Sequence, residues 1–167
     1  IRQMWGKNWT YAHNGQLKGF AEELPIKLHL PIGTTDSEHA FCWILDQLHY
    51  KFGAQQPSAE ALFEFIATLT WKIDELGVAN IIISDGEYLF AYCSNNLHWI
   101  TRRAPFGKAS LIDVEVAVDL HKETTDKDIV TVIATKPLTD DETWHKMCAG
   151  HWHLFCLGES IACGVES

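Results

Sequence analysis

The apolar residues of this chain change period once, and that change limits the folds open to it. Phe41, Ile44, Leu45, Leu48 and Phe52 recur at helical spacing, and Gly53 supplies a stop. A second stripe of Leu62, Phe65, Ile66, Leu69, Ile73 and Leu76 predicts a helix over residues 58–76, with Gly77 as its C-terminal signal. Beyond it the pattern is strand-like. Residues 79–84 form a short apolar run, Asp85-Gly86 reads as a hairpin turn, and 87–93 as the return strand. Residues 97–103 resemble another strand. Residues 111–118 alternate, with Ile112, Val114, Val116 and Val118 on one face and Asp113 and Glu115 on the other. Residues 129–134 read as a strand buried on both faces, and 151–157 as a last one. Two helices in a row, then five or six mostly hairpin-connected strands, point to an α+β fold with helices packed on an antiparallel sheet. Strands apolar on both sides imply layers on both faces of that sheet.

A chain of 167 residues is most simply one domain with a sizeable core. Its formal net charge of −9 argues against nonspecific nucleic-acid binding, which draws on clustered Lys and Arg. Arg102-Arg103 is the only adjacent basic pair. The five cysteines, at 42, 93, 148, 156 and 163, form no CxxC, and several sit inside apolar runs, as free thiols in a reducing compartment do. No stretch of about 18 apolar residues and no signal-peptide pattern stands in the sequence. The expectation is therefore a cytoplasmic protein with no membrane partner.

Ahead of the helices, residues 9–13 read as a short β-segment ending in Asn14-Gly15, a tight-turn dipeptide that leaves one side-chain amide and two backbone N–H groups accessible. Such donors stabilise negative charge developing on a carbonyl oxygen. Residues 16–34 read as a loop. Thr35-x-x-Glu38 matches a capping box, in which the Thr hydroxyl and the Glu carboxylate reciprocally satisfy free N–H groups, and Asp36 places a carboxylate in the first helical turn, able to receive a cation. Both features also have plain readings: a strand ending in a favourable turn, and an acid favoured by the helix dipole. Together they suggest half an active site for amide chemistry, without a nucleophile nearby. His151 and His153 share a face of a strand, so a metal site is conceivable. The neighbouring cysteines lack zinc-finger spacing, and Cys156 falls on the opposite face to His153, so no metal and no cofactor is expected. No GxSxG, HExxH, P-loop or GxGxxG motif is present.

Four stretches taken together resemble the class II glutamine amidotransferase family, especially its stand-alone bacterial YafJ-like members. They are WGKNWTYAHNGQL at 5–17, GTTDSE at 33–38, SNNLHWITRR at 94–103 and VIATKPLT at 132–139, and they span nearly the whole chain. The resemblance implies an N-terminal-nucleophile hydrolase fold, a four-layer αββα sandwich, with residues 1–167 as the C-terminal portion of a single amidotransferase domain. In this family an N-terminal Cys attacks the side-chain amide of glutamine, and its own α-amino group acts as general base. The resemblance assigns Asn14 and Gly15 to the oxyanion hole and places His13 and Asp36 at the substrate, Asp36 pairing with the α-ammonium group.

The sequence departs from that pattern at one place. No Cys lies near residue 1, and Arg2 is too close to the HNG strand to match the family's carboxylate-binding Arg. The expectation is that both precede Ile1 in a longer protein, that the fold is incomplete at its N-terminus, and that this chain alone does not turn over glutamine. The function expected of the parent protein is hydrolysis of glutamine or a γ-glutamyl amide through a cysteinyl thioester. Ammonia would pass to a separate synthase, or the amide would simply be hydrolysed. The alternatives are a catalytically inactive domain that keeps its glutamine-binding half, and a metal-binding module built on His151 and His153.

Overall fold

The structure is a computed structural model that describes residues 1–104, 108–110, 117–119, 125 and 127–165. A hairpin of β1 (Arg2–Met4) and β2 (Lys7–Leu17) opens the chain. The short helix α1 (Phe20–Glu23) follows, then two long helices, α2 (Asp36–Phe52) and α3 (Ala59–Asp74). Next come β3 (Gly77–Ser84), β4 (Tyr88–Cys93), β5 (His98–Arg103), β6 (Lys108–Ser110), β7 (Ala117–Asp119), β8 (Ile129–Ala134), β9 (His145–Lys146), β10 (His151–Cys156) and β11 (Glu159–Val165). One antiparallel sheet has the order β1-β2-β3-β4-β10-β11, a second the order β8-β5-β9, and β6 pairs with β7.

The helical stripes form as the spacing predicts, because each buries one face. Phe41, Ile44, Leu45 and Leu48 of α2, with Leu62, Phe63, Ile66 and Ile73 of α3, pack on Trp9, Ile81, Ile83, Phe90 and Tyr92 of the large sheet. At roughly 1.5–3 kcal/mol for each large side chain buried, this layer is the main source of stability. On the sheet's other face Ala91, Cys93 and Phe155 meet Leu97, Met147 and the partly buried Trp99 and Ile133 of the second sheet. The described residues thus form three layers: helices, sheet, sheet. The large sheet is covered on both faces, as its doubly apolar strands predict.

Several sequence expectations are corrected. Asn14 and Gly15 are not a turn, because β2 runs through them to Leu17, paired in register with β3. Residues 16–34 are not all loop, since they include the end of β2 and α1. Only the segment after α1 is irregular, and it is held by a fully buried carboxylate. Asp46 accepts the N–H groups of Lys27 (2.6 Å), Leu28 (3.0 Å) and His29 (2.7 Å), and lies 2.8 Å from His29 Nδ1. The capping box is half-formed. Thr35 Oγ1 accepts from Glu38 N–H at 3.2 Å, but the Glu38 carboxylate reaches past Thr35 to the N–H groups of Ile32 (3.0 Å) and Gly33 (2.7 Å) and to Arg2 (2.6 Å). Strand β8 is not buried on both faces. It pairs with β5 at a margin of the small sheet, and Val130 is 42% exposed. Strand propensity alone does not separate an edge from a centre. Gly77 opens β3 instead of capping α3, and a Cβ there would stand 2.2 Å from the Gln16 carbonyl oxygen. The alternating run 111–118 lies outside the described residues, apart from its last two in β7. Among the described residues no helix is long and apolar enough to cross a membrane.

Candidate active site

Three of the four sequence-predicted site residues, His13, Asn14 and Gly15, are consecutive on β2, and the fourth, Asp36, is the first residue of α2. Strand alternation sends successive side chains to opposite faces. Tyr11 stacks on Phe41 of α2, ring centroids 5.2 Å apart, so Tyr11 and His13 face the helices. Ala12 and Asn14 face the second sheet and line a cavity of about 170 Å³ with Asn80, Leu97 and Ile133.

The two edges of β2 differ at this point. Asn80, opposite Asn14 on β3, donates from Nδ2 to the Asn14 carbonyl oxygen at 3.1 Å, so that carbonyl points towards β3. The Asn14 carbonyl and the Gly15 N–H belong to one planar trans peptide and point in opposite directions. Gly15 N–H is thereby aimed at the other edge of β2, where β1 registers only with Lys7–Trp9. Two residues on, Leu17 N–H points to that same edge and donates to Asp36 Oδ2 at 2.9 Å. Gly15 N–H and the Leu17 N–H that holds the Asp36 carboxylate are thus set along one strand edge, two residues of β-strand rise or about 6.6 Å apart.

Asp36 is fixed and charged. Its Oδ1 accepts from Ser37 N–H at 2.7 Å and lies 3.3 Å from Ser37 Oγ. Partial burial works against the charge, but the N–H groups of Leu17 and Ser37, with His13 nearby, outweigh it and hold the carboxyl below its ordinary range. These donors leave lone pairs free on a carboxylate that accepts about four bonds. His13 Nε2 lies 3.0 Å from the Val78 carbonyl oxygen, and Nδ1 lies 2.9 Å from Ser37 Oγ. A carbonyl only accepts, so Nε2 carries a proton, and Nδ1 makes the second bond with the Ser37 hydroxyl. His13, Ser37 and Asp36 form a chain joining strand to helix, which sequence spacing does not reveal. Beside it a cleft of about 280 Å³ is lined by Arg2, Tyr11, His13, Ser37 and Phe41, among others. The Tyr11 hydroxyl is buried with no hydrogen-bond partner among the described residues. Burial and the Asp36 charge push its phenol far above the usual range, so it stays neutral.

Gly15 also has a steric requirement. A Cβ at this position would stand 1.7 Å from the Val78 carbonyl oxygen and 2.8 Å from His13 Nε2. A fifth residue of this neighbourhood, Asn80, escapes a sequence reading that attends to motifs. The available signal is one amide inside the apolar run Ala79–Ile83.

Among the described residues no thiol takes the place of a nucleophile beside Gly15. Cys42 and Cys93 are buried, and burial chiefly pushes both thiols up. Cys156 and Cys163 lie on β10 and β11, at the opposite end of the sheet from β2. His153 stands 3.2 Å from Ser160 Oγ and packs on Trp99 and Phe155. Among the described residues no three His, Cys, Asp or Glu side chains are grouped to hold a metal ion.

Comparisons with known proteins give the family. The family description of glutamine amidotransferases class-II matches residues 1–167. The chain is 52% identical over 160 residues to an Escherichia coli K12 protein named "Putative glutamine amidotransferase YafJ", covering 96% of this chain and 62% of that one. It is 43% identical over 162 residues to a Haemophilus influenzae "Putative glutamine amidotransferase", covering 97% of this chain and 54% of the relative. A 2.0 Å crystal structure of a "predicted glutamine amidotransferase" from Pseudomonas aeruginosa superposes with a TM-score of 0.87 at 45% identity, covering 97% of this chain and 63% of that one. The chain therefore spans between about half and under two thirds of the length of these relatives. On sequence and structure alike, the chain belongs to the class II glutamine amidotransferase family, among its YafJ-like members.

Proposed function

We propose that the full-length protein is an amidohydrolase of N-terminal-nucleophile fold that cleaves the side-chain amide of glutamine or of a γ-glutamyl compound. The observation that carries this reading is the pairing of Gly15 N–H and Asp36 on one open edge of β2. Gly15 N–H and the Leu17 N–H that holds Asp36 stand about 6.6 Å apart along the strand, a scale that suits a substrate whose amide carbon and α-nitrogen are four bonds apart. Asp36 receives the α-ammonium group; Asn14 Nδ2 and Gly15 N–H receive the amide oxygen; His13, braced by Val78 and Ser37, walls the site. In the full-length protein an N-terminal Cys supplies the nucleophile and its α-amino group takes the thiol proton.

The steps balance as an acyl transfer. The sulfur bonds to the amide carbon, and the oxygen becomes an anion held by the two N–H donors. The thiol proton passes through the α-amino group to the leaving nitrogen, which departs as ammonia and leaves a γ-glutamyl thioester. Water then attacks the thioester, regenerating the thiol and releasing the γ-carboxylate. Ammonia goes to a separate synthase or to solvent. We place the protein in cytoplasmic glutamine metabolism.

An electrophilic glutamine analogue tests this reading. Incubated with the full-length protein, it should add one equivalent to the N-terminal Cys, seen by intact and peptide mass spectrometry, and should stop ammonia release from glutamine. Glutamine binding by calorimetry with neither labelling nor ammonia release would identify a binding-only domain instead.

A further inference from the structure

Asn80 is 4% exposed and sits between Ala79 and Ile81, both fully buried. A polar side chain in such a place is costly unless every hydrogen-bonding atom is matched. Here all are. Oδ1 accepts from the N–H groups of Asn95 and Asn96, each at 3.2 Å, and Nδ2 donates to Asn95 Oδ1 at 2.8 Å and to the Asn14 carbonyl oxygen at 3.1 Å. The two backbone donors fix which end of the amide is oxygen, so the end facing Asn14 is the NH₂.

We propose that Asn80 is a positioning residue for the oxyanion donors, acting through the Asn14–Gly15 peptide plane; the inference rests on the amidohydrolase reading above. A planar peptide cannot turn its carbonyl without turning its N–H. By holding the Asn14 oxygen towards β3, Asn80 aims Gly15 N–H outwards, and the bond to the carbonyl polarises that N–H into a stronger donor. The same amide is tied to residues 95 and 96, in the connection that carries the chain from β4 of the large sheet to β5 of the small one. The orientation of the donor thus depends on the two sheets being correctly joined. Asn80 itself touches no substrate in this arrangement.

Asn80→Asp is nearly isosteric and separates the functions of the amide. It keeps acceptors for Asn95 and Asn96 N–H but sets a carboxylate oxygen against the Asn14 carbonyl. In the full-length protein kcat for ammonia release from glutamine should fall about 10- to 100-fold, the range expected when a catalytic group is misaimed. KM should stay within about twofold, because Asp36 is untouched. A purely structural role would instead move kcat and KM together, overturning the proposal, as would an unchanged kcat. Asn95 is exposed, so Asn95→Ala folds. It removes one acceptor of Asn80 Nδ2 but keeps the Asn95 and Asn96 N–H groups that fix the amide, so kcat and KM should both stay within about twofold of wild type; a loss of about tenfold in kcat for this variant would place the role in the Asn95 side chain and overturn the proposal. Asn14→Ala separates the two levels. Wild-type kcat there removes the amidohydrolase reading itself, whereas loss in Asn14→Ala beside unchanged Asn80→Asp removes only the role of Asn80.

Discussion

Replacing Gly15 by Ala tests the close approach of β2 to β3 where the candidate site is built. Gly15 does not occupy a left-handed conformation, so its backbone alone would tolerate alanine. Where the backbone permits it, Gly→Ala usually stabilises a protein by about 0.4–1 kcal/mol through the unfolded state. The structure predicts the opposite sign. The new Cβ would lie 1.7 Å from the Val78 oxygen, against 3.4 Å for the start of ordinary contact, so the strands must part by a comparable distance. The 3.0 Å approach of His13 Nε2 to Val78 O is then lost, together with neighbouring ladder bonds of β2 and β3. Two to three hydrogen bonds at about 1 kcal/mol each, less the unfolded-state gain, leave a net destabilisation of about 2 kcal/mol. With a urea slope near 2 kcal/mol per molar, the midpoint should fall by about 1 M. Equilibrium urea unfolding of the full-length protein, followed by tryptophan fluorescence, measures this directly. A midpoint equal to or above wild type would refute the steric reasoning.

Two further perturbations address the carboxylates. Asp36→Asn keeps an oxygen for Leu17 N–H but loses the charge, so KM for glutamine should rise about tenfold or more with a smaller change in kcat, measured by steady-state ammonia release. The buried Asp46 governs acid stability. Burial opposes its charge, but the N–H groups of Leu28, Lys27 and His29 outweigh that and depress its carboxyl. The stability it contributes is full above the unfolded value of about 3.9 and is lost as pH falls through the lower folded value. Asp46→Asn should therefore be less stable than wild type by about 2 kcal/mol at pH 7, with the gap closing towards pH 2. A gap independent of pH in urea titrations would contradict the assignment.

The parts of this fold that were legible in the sequence are those decided by local pattern. The stripes of α2 and α3 bury one face each, so their period survives as sequence, and the Asp85-Gly86 turn depends on two adjacent residues. Asn14-Gly15 misleads because the pair favours a turn locally, while ladder pairing with Asn80 and Ala79 over a long sequence separation keeps it extended. Strands β1 and β11 carry little apolar signal, and pairing with neighbours defines them. The Glu38 carboxylate leaves its expected capping partner because two loop N–H groups and Arg2 lie within reach, a fact of the tertiary structure. The site residues themselves were reached through motif resemblance. Their arrangement along one strand edge was not, since it depends on which way a peptide plane faces.

That arrangement is tested most directly by the turnover of Asn14→Ala in the full-length protein. With Asn14 Nδ2 removed and Asp36 intact, kcat for ammonia release from glutamine should drop about 100- to 1,000-fold while KM changes little. A variant that releases ammonia at the wild-type rate would show that this edge of β2 is not an oxyanion hole.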